Sequence, residues 1–120
     1  MEDAPSHTFE RILTTEEKSA LRGESFSNRE LDGLDLSGAD LRGARFDRTL
    51  LVRCNLAGAD LRGARFVLCD LRGVDFADTV FGDNRFDGTT FVDVVGLSES
   101  TRALIARGGG TFQPRHASTR

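Results

Sequence analysis

The sequence predicts an all-β solenoid, a chain wound into stacked four-cornered coils, and three observations carry that prediction. The stretch from Leu36 to Phe46, LSGADLRGARF, returns twenty residues later, from Leu56 to Phe66, as LAGADLRGARF. Large apolar residues stand at every fifth position from Leu21 to Phe91, fifteen in succession. Two residues after each of these the chain places Gly at eight positions (23, 33, 38, 43, 58, 63, 73 and 88) and Asn28, Asp78, Asp83 or Asp93 at four more. A period of five matches neither the 3.6 of a helix nor the 2 of a flat strand. It describes a chain that turns a corner with each unit, at residues that tolerate a positive φ.

Four corners close a coil of twenty residues, and stacking coils at the strand spacing of roughly 4.8 Å places residues twenty apart in columns. The columns are chemically uniform. One reads Phe26, Phe46, Phe66, Phe86, the next Leu31, Leu51, Leu71, Phe91, the third Leu36, Leu56, Phe76 and the fourth Leu21, Leu41, Leu61, Phe81. Two residues before each central one the chain mostly places something small, such as Ala39, Ala44, Thr49, Cys54, Ala59, Ala64, Cys69, Val74, Thr79 or Thr89. This suits a second inward position in a narrow, filled core.

Units such as Ala39-Asp40-Leu41-Arg42-Gly43 and Ala59-Asp60-Leu61-Arg62-Gly63 resemble those of the pentapeptide-repeat family, over Ser19 to Asp93. The resemblance implies a right-handed quadrilateral parallel β-helix with four repeats per coil, here just under four coils. It implies much less about function, since most members of that family have no assigned activity. Some family members bind type II topoisomerases such as gyrase as DNA mimics and protect them from quinolones or toxins.

Along the chain, residues 1–18 form an N-terminal segment, 19–96 the repeat solenoid, 97–108 a capping helix and 109–120 a disordered tail. Residues 1–8 are expected to be disordered, and Phe9, Ile12 and Leu13 to cover the first coil. Thr14 and Glu17 form a capping box, and Gly23 offers a helix end. Ser19 to Gly23 also fits the five-residue register, so the first repeat competes with that helix. At Gly96, where a large apolar residue is due, the register fails. Ser98 is then a good N-cap for a helix over 99–107, Arg107 suits its negative end and Gly108 its C-cap. Leu97, Leu104 and Ile105 can form an apolar stripe that lids the last coil. The alternative, implied by relatives that dimerise through this end, is that Leu104 and Ile105 contact a second copy, so the chain is a monomer or such a homodimer.

Composition narrows the functional classes. The 120 residues suffice for one domain, no apolar run is long enough to span a membrane, and the first residues are acidic and polar without a signal-peptide pattern, so a cytoplasmic protein is expected. Cys54 and Cys69 fall at small inward positions on different faces and read as buried thiols, not a disulfide or a metal pair. The two histidines, His7 and His116, lie in opposite tails, and a filled interior leaves no substrate pocket. Neither an enzyme nor a cofactor or metal site is expected.

Function is therefore sought on outward positions. Arg22, Arg42 and Arg62 form one outward column and Arg45, Arg65 and Arg85 another, flanking one corner as a basic ridge. Asp40 and Asp60 can pair with it, each pair contributing about 0 to 1 kcal/mol. The competing reading is an anion or nucleic-acid track. From Glu24 to Asp93 there are 13 acidic residues against 9 Arg, a net of −4, which is mild for a DNA mimic. The middle coils break the corner rule at Arg48, Arg53 and Leu68, and put Leu50, Val52 and Val67 on outward sites. Together with Arg72 these form a candidate protein-binding patch, expected to gather around one corner. The expected function is a rigid protein-interaction module. Topoisomerase modulation and nucleic-acid binding are the alternatives.

Overall fold

The computed structural model describes residues 14–113 as a right-handed quadrilateral parallel β-helix closed by a helix. The expectations for Phe9, Ile12, Leu13 and the histidines lie outside the described residues, as does the tail beyond Gln113. Helix α1 (Thr15–Lys18) opens with the capping box: Thr14 Oγ1 accepts from Glu17 N–H at 3.1 Å, and Glu17 Oε1 accepts from Thr14 N–H at 2.9 Å. It stops at Ser19, because Leu21 to Gly23 already belong to the first coil, where Gly23 N–H donates to Arg42 C=O at 2.8 Å.

The second face, carrying the Leu31 column, is the most regular. Strands β1 (Glu30–Asp32), β2 (Leu50–Val52), β3 (Asp70–Arg72) and β4 (Thr90–Val92) pair in parallel with a register of twenty, Leu31 beside Leu51 beside Leu71 beside Phe91. The other faces are linked rung to rung by bridges: Ser25, Arg45, Arg65 and Arg85 on the first, Asp35, Asn55, Asp75 and Val95 on the third, Asp40, Asp60 and Val80 on the fourth. The interior rungs spend their backbone groups on the coils above and below, which is what permits a core this thin.

The four apolar columns meet inside. Phe26, Phe46, Phe66 and Phe86 stack with ring centroids 5.0, 4.7 and 5.9 Å apart and interplanar angles of 10° or less. The Leu columns are buried from Leu31 through Leu71. Small inward residues that carry a donor use it on a carbonyl twenty-three residues back. Thr49 Oγ1 donates to Phe26 C=O at 2.8 Å, Cys54 Sγ to Leu31 C=O at 3.2 Å, and Cys69 and Thr89 likewise to Phe46 and Phe66. Both thiols are free and buried, and burial pushes them up, Cys69 to about 11.

All fifteen corner residues from Gly23 to Asp93 have φ between 53° and 75°. Outward Asx residues lock the next turn: Asp35, Asn55 and Asp75 accept from the N–H of Ser37, Ala57 and Ala77 at 2.9 to 3.0 Å. The coil ends at Gly96. A Cβ there would lie 2.4 Å from the Ala77 nitrogen, so the chain presses on the coil below at a point where no side chain fits.

Helix α2 (Glu99–Arg107) begins at Ser98, whose Oγ accepts from Thr101 N–H at 3.2 Å, and ends at Gly108. Ile105 is 0 % exposed and joins the core, whereas Leu104 is 55 % exposed. Contact of Ile105 with a second copy is thereby corrected: its side chain is consumed by its own last coil. The tail also needs correction. Residues Thr111–Gln113 form strand β5, which pairs in parallel with β4 as a fifth rung of the second face. Phe112 stacks on Phe91 at 4.9 Å, and the Arg102 guanidinium lies 4.2 Å from the Phe112 ring centre. The interposed helix shifts the register to twenty-one, which hides this rung from a search at twenty.

Candidate functional site

The arginine ridge is assembled as the columns require, and it is largely neutralised. Arg42 reaches Asp40 at 2.9 Å and Asp60 at 3.7 Å, Arg62 reaches Asp60 at 2.6 Å, and Arg22 reaches Asp40 at 3.3 Å. Around the corner, Arg65 lies 3.5 Å from Asp47 and Arg85 3.3 Å from Asp87. Hydrogen bonding from Arg42 holds the Asp40 carboxyl well below the usual carboxylate range, and hydrogen bonding from Arg62 lowers that of Asp60. Among the described residues only Arg45 of the six makes no ion pair. Asp47 and Asp87, the partners on the first face, were not paired with the ridge by sequence spacing, though both stand two residues from an arginine of the same column.

The middle-coil candidates fall into two groups. Leu50, Val52, Arg53 and Arg72 line one open groove of about 610 Å³ on the second face, together with Asp70, Gly73, Val92 and Asp93. Its floor is apolar, from Leu50, Val52 and Val92, and its arginines are tied down. Arg53 reaches Asp32 at 2.7 Å and Arg72 reaches Asp70 at 3.0 Å. Arg48, Val67 and Leu68 do not line this groove; they sit on and before the corner that leads into it. Leu68 is 56 % exposed and leans toward the next coil, with a methyl 2.7 Å from where a Cβ of Gly88 would stand. The patch is thus two neighbouring surfaces, a groove and a shoulder. Arg48 makes no ion pair among the described residues.

Three corners carry a conformational cost. Arg48, Arg53 and Leu68 hold φ values of 55°, 53° and 59°, a region that costs an L residue with no Asx side chain about 1 kcal/mol. Arg48 and Leu68 stand on one side of the second face and Arg53 on the other. A second groove, of about 300 Å³, separates α2 from the last rung of the fourth face. It was not anticipated from the sequence, because it arises from how the helix leaves the coil. No group of metal-ligating side chains occurs among the described residues, and no helix there is long and apolar enough to cross a membrane.

A family model for pentapeptide repeats, with eight copies, matches residues 18–48 and 30–66. The chain is a pentapeptide-repeat protein. Solved pentapeptide-repeat structures resemble it in fold. The crystal structure of a pentapeptide repeat protein from the cyanobacterium Cyanothece 51142 superposes with a TM-score of 0.54 at 19 % identity, over 58 % of this chain and 51 % of that one. This pentapeptide-repeat protein therefore spans about half the length of its cyanobacterial neighbour. A pentapeptide repeat protein of the Arabidopsis thaliana thylakoid lumen gives a TM-score of 0.48 at 25 % identity, over 85 % and 82 % of the two chains. The plasmid-mediated fluoroquinolone resistance protein QnrB1, trypsin-treated, gives 0.30 at 17 % identity, over 74 % and 55 %. No curated protein sequence matches the chain.

Proposed function

We propose that this pentapeptide-repeat protein is a rigid, non-enzymatic interaction module that presents its second face to a protein partner. The observation that supports this reading is the strain at Arg48, Arg53 and Leu68 on both sides of that face. Elsewhere in the solenoid the same corners are Gly, Asn or Asp, so the fold gains nothing by placing these side chains there. What the face gains is an apolar floor of Leu50, Val52 and Val92 between rims that carry charge. The ridge of Arg22, Arg42, Arg62, Arg65 and Arg85 is a weaker candidate for a polyanion, since its charge is cancelled in place by Asp40, Asp60, Asp47 and Asp87. A cytoplasmic setting fits the two free thiols.

The test is a photo-activated crosslinker placed at Val52 and, separately, at Ala57 on the third face, each in the full chain in a lysate of its source organism. A discrete adduct from Val52 that is missing from Ala57, and missing again with Leu50→Asp, is the expected result. Adducts are then probed for gyrase subunits. The same adducts from both positions, or none from Val52, would refute the reading.

A further inference from the structure

The last rung of the fourth face presents an open backbone edge to a groove beside helix α2. Along that face each rung bonds to the next: Leu41 N–H donates to Asp60 C=O at 2.9 Å, Leu61 N–H to Val80 C=O at 2.8 Å, Gly63 N–H to Gly82 C=O at 2.6 Å and Val80 N–H to Ala59 C=O at 3.0 Å. The second face continues upward into β5, and the first is partly closed by Gly88 N–H, which donates to Gly109 C=O at 3.1 Å. The last rung of the fourth face, Thr79 to Asp83, has no successor. Among the described residues nothing pairs with the N–H groups of Phe81 and Asp83 or with the Thr79 carbonyl. Helix α2 passes beside this edge without closing on it, leaving the groove of about 300 Å³.

The groove has chemistry as well as space. Phe81, Phe86 and Leu104 give it apolar walls, and Arg107 stands at the end where Gly108 meets the Phe86 ring. Arg107 makes no ion pair among the described residues. We infer that this groove takes an extended segment of a partner protein as one further parallel rung, with a large apolar side chain on Phe81 and an acidic side chain beside Arg107. Unpaired donors and an acceptor in strand register are met by an extended backbone, which a helix cannot offer. The column below reads Leu21, Leu41, Leu61, Phe81, so continuity of the core sets the inward residue as apolar. Asp83 also lines the groove and disfavours a run of acids, which limits the segment to a single one beside Arg107.

The site shares no residue with the second-face groove, so the two readings fail separately. The experiment uses the full ¹⁵N-labelled chain and an N-acetylated, C-amidated heptapeptide, Ser-Ala-Thr-Leu-Glu-Ser-Gly. Binding should shift the Phe81 and Asp83 amides and slow their hydrogen exchange about tenfold or more. Register gives the decisive control. By analogy with Val80, the peptide Thr N–H donates to the Thr79 carbonyl, whereas the Leu N–H points away from the solenoid. N-methylation at Thr should abolish binding and N-methylation at Leu should leave it. Leu104→Glu should weaken it about tenfold, and Arg107→Glu should reverse the preference from the Glu peptide to its Lys counterpart. Unmoved Phe81 and Asp83 amides at millimolar peptide, or equal loss from both N-methylations, would overturn the inference. Protection of these amides that grows with protein concentration alone would overturn it too, by showing a second copy in the groove.

Discussion

Arg48, Arg53 and Leu68 show how much a single corner can reveal. The five-residue register demands a positive φ at each corner whatever residue is there, and the structure obliges at all fifteen. Gly, Asn and Asp accept that demand readily; Arg and Leu do not. Arg48 has no compensating ion pair among the described residues, so Arg48→Gly should raise stability by about 1 kcal/mol, less a few tenths for the added freedom of the unfolded chain. Urea unfolding of the two proteins checks this, and a loss of stability would mean that Arg48 holds the fold after all. That these three corners are exceptions was legible in the sequence. Their division between a groove and a shoulder was not, because spacing along the chain does not say which way a side chain leans.

Among the elements, α2 and β5 carry the lesson. The helix was readable from Ser98 and Gly108 because caps are local chemistry, set by side chains within a turn of the ends they serve. Which of its two adjacent aliphatic residues faces the core was not readable. Ile105 is fully buried and Leu104 is not, so Ile105→Ala should cost about 2 to 4 kcal/mol and Leu104→Ala less than about 0.5. Equal losses would show both residues packed. Strand β5 was missed altogether. Three residues, Thr111–Gln113, are too short to announce themselves by pattern, and their place is set by Phe91, which offers Phe112 an aromatic face twenty-one positions back. The groove beside Phe81 follows from the same event, since a chain that leaves the coil as a helix abandons one edge.

For the whole molecule, charge is sorted by face. Arg45, Arg65 and Arg85 stand on the first face, Arg72 on the second and Arg22, Arg42 and Arg62 on the fourth, all but Arg45 paired with a carboxylate, while the third carries Asp35, Asn55 and Asp75 with no arginine, and Lys18 reaches Asp35 at 3.4 Å. The Asp40 and Asp60 carboxyls are held down by Arg42 and Arg62, so their stabilisation is present above the ordinary carboxylate pKa, about 3.9, and is lost as pH falls through it toward the depressed folded values. Thermal unfolding followed from pH 6 to pH 2 should therefore show a falling midpoint below about pH 4, and Asp40→Asn should flatten that fall. These groups are partly solvated and screened, so the effect should also shrink in high salt. An acid profile identical in the variant would assign the loss to other carboxylates.

The sequence by itself determined the coil: its period, its four columns, its corners and its capping helix. These are properties each unit shares with its neighbours, and a solenoid held by neighbour contacts writes them once per repeat. What only the tertiary structure decided lies where the repetition stops or is broken. The return of Thr111–Gln113, the inward turn of Ile105, the open edge at Phe81 and the lean of Leu68 each depend on a single meeting of distant residues. A contact made only once leaves no period behind it.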